Sequence, residues 1–242
     1  MIKLENINLH YGSSQILHNV NMEIQEGKIT TLMGSNGVGK TSLLKMLTGI
    51  HNPSSGDYFY QNINMNNEKS HNLAKKGIGY VPQGRFIFPL LSVRENLEIG
   101  FGCLKTQDHF IPEEIFDLFP ILKKMIDRRG GDLSGGQQQQ LAIARALITK
   151  PKVLLMDEPT EGIQPNIIKL IGDIILYLKN EKKMSIFLVE QYFEFAFKLS
   201  DYIFIMRRGS ITKEGIKNQL DNLNDWKVQT QVVQFYHAVN LQ

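Results

Sequence analysis

Three short stretches carry residue types that can do chemistry. The first is Gly34-Ser35-Asn36-Gly37-Val38-Gly39-Lys40-Thr41, which fits G-x-x-x-x-G-K-[ST]. Its glycines let the backbone fold so that successive N–H groups converge on phosphate oxygens. Lys40 adds a point charge at the β- and γ-phosphates, and the Thr41 hydroxyl can ligate Mg²⁺. The second is Asp157-Glu158, which closes the apolar run Val153-Leu154-Leu155-Met156. An acid at the end of a strand can reach a nucleotide's Mg²⁺, usually through water, and a neighbouring carboxylate can orient or polarise an attacking water. Two acids after an apolar run are weak evidence alone, because a strand can end in solvated acids. Beside a phosphate loop they gain a role.

The third stretch is Leu133-Ser134-Gly135-Gly136-Gln137. Ser134 is a good N-cap for a helix running to about Thr149, with Leu141, Ala144, Leu147 and Ile148 as its buried stripe. Two readings stand level on physics alone: a capped helix with a glycine-rich entry, or a second anion site at a helix N-terminus.

These stretches need elements to position them. Residues 28–33 (KITTLM) are β-rich and precede the phosphate loop. After it, Leu43, Leu44 and Leu47 have helical spacing, with Gly49 as a stop. The strand–loop–helix context argues against a mere glycine turn. Residues 2–24 alternate as two half-buried strands around Tyr11-Gly12-Ser13. Asn52-Pro53-Ser54-Ser55-Gly56 reads as a turn, residues 57–67 as a strand and polar loop, and residues 79–82 as the end of a strand. Ser92-x-x-Glu95 is a capping box, and Pro112 and Pro120 stand where helices can start, so residues 85–150 read as mostly helical. Strands at 153–156, 185–189 and 202–206 alternate with helices at 167–178 and 193–199, and Arg208-Gly209-Ser210 makes a hairpin turn. Buried strands separated by helices predict a mostly parallel sheet covered on both faces. The polar tail 217–242, which carries Trp226, suggests no function.

Composition excludes several classes. At 242 residues the chain can bury a sizeable core without staples. A single cysteine, Cys103, rules out an internal disulfide and fits a reducing compartment. With 27 Lys and Arg against 24 Asp and Glu, the net charge of +3 does not call for nucleic acid. His10, His18, His51, His71, His109 and His237 show no metal-ligand spacing. The stretch 167–178 is interrupted by Lys169 and Asp173, well short of the ~20 apolar residues of a membrane span. The first ten residues show no secretory pattern, so a soluble chain able to dock on a membrane protein is expected.

The LSGGQ pentad at 133–137, between a phosphate loop and an acid-ended strand, resembles the signature of ABC-type ATPases, in that family's order along nearly the whole chain. The resemblance implies an α/β P-loop NTPase: a RecA-like mixed-sheet core with an antiparallel β subdomain (about 1–84 and 151–242) and a helical subdomain (about 85–150), together one ATP-binding domain over 1–242. It implies ATP and Mg²⁺ as cofactors. Nucleotide contacts then fall on Gly34, Ser35, Asn36, Gly37, Val38, Gly39, Lys40, Thr41 and Ser42, with Tyr11 stacking on adenine and Gln83 sensing the γ-phosphate. Ser134, Gly135, Gly136 and Gln137 of one subunit would close over ATP held by another. Thr41, Gln83 and Asp157 would serve the metal, and Glu158 and Gln191 catalysis.

Two departures from the family pattern stand out. Gln191, in Leu188-Val189-Glu190-Gln191, replaces the usual switch histidine, and an amide cannot take up a proton. Glu161-Gly162-Ile163-Gln164-Pro165 lacks the usual serine and aspartate that link two ATP sites. Glutamine at the switch position is similar to the importer branch that serves branched-chain amino acids and small amides. Residues 130–140, 157–165 and 189–192 look most like urea importers; a branched-chain amino acid importer is the alternative. The expected partners are two transmembrane permease subunits, a second ATP-binding subunit (a related chain or another copy) and, indirectly, an extracytoplasmic solute-binding protein. The expected place is the cytoplasmic face of the membrane, with Phe86, Phe88 and Leu90 as candidate docking residues and no nucleic acid. A soluble non-transport ABC ATPase and a module that has lost hydrolysis are the remaining alternatives.

Overall fold

A computed structural model describes residues 1–216; the tail 217–242, with Trp226, lies outside the described residues. Two sheets organise the chain. Strands β1 (Ile2–Tyr11), β2 (Ser14–Ile24), β4 (Ser55–Tyr60) and β5 (Ile63–Asn64) form an antiparallel sheet in the order β2-β1-β4-β5. Strands β3 (Ile29–Met33), β6 (Ile78–Val81), β7 (Val153–Asp157), β8 (Ser185–Glu190), β9 (Tyr202–Arg207) and β10 (Ser210–Ile216) form the second, in the order β10-β9-β3-β8-β7-β6. All its neighbours are parallel except β9 and β10, which form a hairpin. Strands β3, β7 and β8 are buried at every position, which matches the apolar runs of β7 and β8; β3 buries Thr30 and Thr31 as well.

The helices are α1 (Lys40–Leu47), α2 (Ser70–Lys75), α3 (Val93–Glu98), α4 (Glu113–Leu118), α5 (Pro120–Lys124), α6 (Gly135–Ile148), α7 (Pro165–Asn180) and α8 (Phe193–Leu199). The antiparallel sheet and α1 pack on one face of the second sheet through Leu9, Leu17, Leu43, Leu44 and Phe187. On the other face, α6 and α7 pack through Leu141, Ile171, Ile175, Leu154 and Leu188. The Ser92–Glu95 capping box forms reciprocally, with Glu95 N donating to Ser92 Oγ at 3.1 Å and Ser92 N to Glu95 Oε2 at 2.7 Å.

The expected turn at 52–56 is shorter than its sequence suggests, because β4 already begins at Ser55. Gly56 adopts φ +89, where a Cβ would fall 2.4 Å from the Asn6 carbonyl oxygen, so this glycine serves close strand approach. Helix α2 has no counterpart in the expected elements. It buries only Leu73 and makes a single turn and a half, too little periodicity to read. The stretch 85–150 is helical only in short pieces joined by 3₁₀ turns and loops until α6.

Candidate active site

Strand register brings the site together. Met33 pairs with Glu190, Asp157 with Val189, and Val81 with Met156. The C-terminal ends of β3, β8, β7 and β6 therefore line one edge of the sheet. The loops that follow carry residues 34–39, Gln191, Glu158 and Gln83 in that order. Open α/β sheets bind ligands at this edge.

The phosphate loop turns tightly into α1. Gly39 caps the helix at φ +111, and a Cβ on Gly34 would fall 2.5 Å from the Met206 carbonyl oxygen. Lys40 is buried, and its ammonium donates to the carbonyls of Gly34 (2.7 Å) and Ser35 (3.0 Å). Its third contact is Glu158 Oε1 at 3.2 Å, an ion pair whose side chains are only 4% and 6% exposed.

Glu158 is a left-handed residue, φ +47, immediately after β7, and its N–H donates to the Val189 carbonyl at 2.9 Å. Such a backbone costs roughly 1–3 kcal/mol in a non-glycine residue and persists where its surroundings over-determine it. Its second carboxylate oxygen accepts the Gln191 amide at 2.7 Å and, weakly, the Gln83 amide at 3.4 Å. The same Gln191 nitrogen donates to Asn36 Oδ1 at 2.6 Å. The expected catalytic pair thus sits against the phosphate loop.

Asp157 is buried, and neither carboxylate oxygen meets the geometry of a hydrogen bond. Burial lifts its carboxyl to about 6, against the opposing pull of the nearby Thr41 hydroxyl. Two orphaned buried oxygens beside a threonine hydroxyl fit a hard divalent cation such as Mg²⁺. Among the described residues no group of three or more His, Cys, Asp or Glu could hold a metal by itself. Such a cation would draw its remaining ligands from phosphate and water, the usual habit of Mg²⁺. The Gln83 amide nitrogen donates chiefly to Glu161 Oε2 at 3.0 Å.

Ser134 caps α6 through a second capping box: Gln137 N donates to Ser134 Oγ at 3.4 Å, and Ser134 N to Gln137 Oε1 at 2.9 Å. Residues 134–137, with Gly162 and Gln164, line a cleft of about 540 Å³. No residue of 34–42 lines it. The cleft beside Ser134–Gln137 is therefore not shared with the phosphate loop of the same chain. Tyr11 closes the β1–β2 hairpin against Ser14 and is 39% exposed, its ring centroid 4.9 Å from that of His51. Phe86, Phe88 and Leu90 are exposed, and Arg145 of α6 donates to the Phe86 carbonyl at 2.8 Å.

Sequence reasoning missed three residues. Arg85 adopts φ +71; its guanidinium flanks Gly135 and lies 3.4 Å from Gln138 Oε1. Glu161 receives the Gln83 amide. Glu190 is a carboxylate only 2% exposed at the end of β8. The signal that singled out Asp157 and Glu158, an acid closing an apolar run, is present at Glu190 too.

Comparison with known proteins agrees with this geometry. Residues 17–161, more than half of the chain, match the family model described as ABC transporter. The chain is 40% identical over 212 residues to the high-affinity branched-chain amino acid transport ATP-binding protein BraG of Pseudomonas aeruginosa, covering 87% of this chain and 91% of that one. It is 35% identical over 223 residues to the probable branched-chain amino acid transport ATP-binding protein LivF of Archaeoglobus fulgidus, covering 91% and 94%. Among solved structures, the ADP conformation of MJ1267, an ATP-binding cassette of an ABC transporter, superposes with a TM-score of 0.80 at 29% identity, over 98% of each chain. The dimeric cassette MJ0796 bound to ADP and Pi gives 0.80 at 27% identity, over 90% of this chain and 99% of that one. No helix among the described residues is long and apolar enough to cross a membrane. A phosphate loop closed by Lys40, a carboxylate pair at the end of β7 and relatives of this kind place the chain in the ABC transporter family, as an ATP-binding, ATP-hydrolysing cassette.

Proposed function

We propose that this chain powers the import of branched-chain amino acids as the ATPase subunit of an ABC importer. The observation that carries the solute is the likeness to BraG, 40% identical over 91% of that protein. The motif wording at 130–140 and 157–165 resembles urea importers, but both curated relatives described above are branched-chain amino acid proteins, and the reading follows them. Solute contacts belong to the permease subunits and an extracytoplasmic binding protein. Phe86, Phe88 and Leu90 offer an apolar surface for permease docking at the cytoplasmic face of the membrane.

The chain's residues divide the chemistry. Backbone N–H groups of residues 34–42 and the Lys40 ammonium hold the phosphates, and Tyr11 presents a ring to adenine. Thr41, Asp157 and Gln83 would hold Mg²⁺, which neutralises charge on the β- and γ-phosphates when bound. Glu158 accepts a proton from the attacking water as its oxygen bonds to the γ-phosphorus and the bond to the β–γ bridging oxygen breaks, releasing ADP and phosphate. Gln191, tied to Asn36 and Glu158, orients that carboxylate and donates to the γ-phosphate. Lys40 exchanges its Glu158 contact for phosphate, which frees the carboxylate to act as base. The separation of the Ser134–Gln137 cleft from the phosphate loop supports a two-chain sandwich, in which each cleft closes over the other chain's ATP. The partner cassette is a related ATP-binding subunit or a second copy.

The test is uptake of labelled leucine and labelled urea by cells lacking this chain, with the wild type or Glu158→Gln restored. Loss of leucine uptake, rescued by the wild type alone, is the expected result. Loss of urea uptake with leucine unaffected would move the chain to the amide branch.

A further inference from the structure

Glu190 stands at the C-terminal end of β8, between the two loops that carry the catalytic pair. Its Oε1 accepts from Thr160 N at 3.2 Å and from Thr160 Oγ1 at 2.8 Å. Its Oε2 accepts from Gln191 N at 3.1 Å and Tyr192 N at 3.4 Å. One oxygen thus holds the loop that begins at Glu158, and the other holds the loop that begins at Gln191. Among the described residues Glu190 makes no ion pair; its partners are neutral donors. Burial raises its carboxyl to about 7, against the lowering pull of those same donors. A buried carboxylate is costly to keep, and a serine or threonine here would span only one of the two loops.

The geometry points to Glu190 as a positioning residue for hydrolysis: a two-sided clamp that fixes the loop after β7 against the loop after β8. It thereby sets the 2.7 Å contact between Gln191 and Glu158. The inference rests on the reading of Glu158 and Gln191 as the hydrolytic pair. Glu190 touches neither of their side chains. It acts on the backbones that carry them, so its loss should lower turnover and leave nucleotide affinity in place.

The substitution Glu190→Gln isolates this role. A glutamine of the same shape keeps one acceptor oxygen. With that oxygen toward Gln191 N and Tyr192 N, its NH₂ faces Thr160, whose hydroxyl can turn to accept but whose N–H loses its acceptor, so that loop's anchor is weakened. ATP hydrolysis and nucleotide affinity should be measured on the full chain, for E190Q, Q191A and the double variant. Expected are a fall in kcat of roughly tenfold or more for E190Q and an ATP affinity within about twofold of wild type, a split that marks an interaction felt at the transition state. In the Q191A background the same change should cost no more than about threefold, because the contact that the clamp sets is already gone. Wild-type kcat for E190Q, or falls that simply multiply in the double variant, would overturn the clamp. Thr160→Val removes only the 2.8 Å bond and decides the matter if E190Q does not fold: a smaller fall in kcat at constant affinity supports the clamp, and an unchanged rate overturns it. Glu158→Gln run in parallel separates the two claims. An inactive E158Q beside a fully active E190Q removes the clamp alone, whereas an active E158Q removes the hydrolytic reading beneath it.

Discussion

The Gln191 side-chain nitrogen lies 2.7 Å from Glu158 Oε2, and the same nitrogen lies 2.6 Å from Asn36 Oδ1. One neutral amide therefore ties the carboxylate after β7 to the phosphate loop after β3. A histidine in this place would change charge between pH 5 and 8. An amide does not, so the link persists across that range.

Glu158→Gln should hydrolyse ATP at least roughly 100-fold more slowly, the scale of a lost general base. Binding should persist, because Lys40 and the backbone N–H groups of the phosphate loop are untouched. Single-turnover hydrolysis beside calorimetric titration checks both halves. Wild-type turnover would remove Glu158 from the role of base.

Lys40→Ala should weaken ATP binding and also destabilise the nucleotide-free chain. The substitution strands a carboxylate that is 6% exposed, a change that costs about 3 kcal/mol or more when a buried partner is removed. Adding Glu158→Gln to Lys40→Ala should recover much of that stability and none of the binding. Denaturant melts of the two variants, each compared with wild type, read the difference.

Burial pushes the Asp157 carboxyl up to about 6 in the folded chain, above the unperturbed value of about 3.9. Between these values the folded chain holds a proton that the unfolded chain has lost, so this group's contribution to stability falls as pH rises through the window. Above pH 6 the folded state bears the full cost of keeping this buried carboxyl ionised, on the order of 3 kcal/mol. Without nucleotide, Asp157→Asn should therefore be more stable than wild type at pH 7.5, with the gap closing toward pH 4. The same variant should lose Mg²⁺-dependent hydrolysis. Equal melting curves at pH 7.5 and pH 4 would contradict the burial argument.

Ser134→Ala should cost about 1 kcal/mol through the lost N-cap. ATP binding by the single chain should not change, because Ser134 lies outside the phosphate-loop region. Hydrolysis should fall sharply, because the cleft that would close over a partner's ATP loses a hydroxyl. Equal activity would argue that residues 133–137 are only a capped helix start.

Much of this site was legible because its parts are local. The phosphate loop, the acids at the end of β7, the Ser92–Glu95 capping box and the Ser134 N-cap each need only a few consecutive residues, and each forms where its spacing predicts; that Gln137 completes a second box is seen only in the structure. Helix α2 was not legible, because six residues burying one leucine give no period. Arg85 escaped for a different reason. Its reach to Gly135 depends on left-handed backbone at Gly84, Arg85 and Phe86, which no side-chain pattern announces. Glu190 was visible as an acid closing an apolar run, but its meaning depends on Thr160, which only the β7–β8 register brings alongside.

The strand order has a consequence for synthesis. Strand β8 enters between β3 and β7, so Glu190 ends up beside Met33, although the chain makes Met33 more than 150 residues earlier. Contacts this distant in sequence form late and slowly. A nascent chain that already displays its glycine loop and its acids still has a gap in the sheet where Gln191 and Glu190 belong. On the roles proposed for Glu190 and Gln191, turnover of nucleotide then awaits the closing strand.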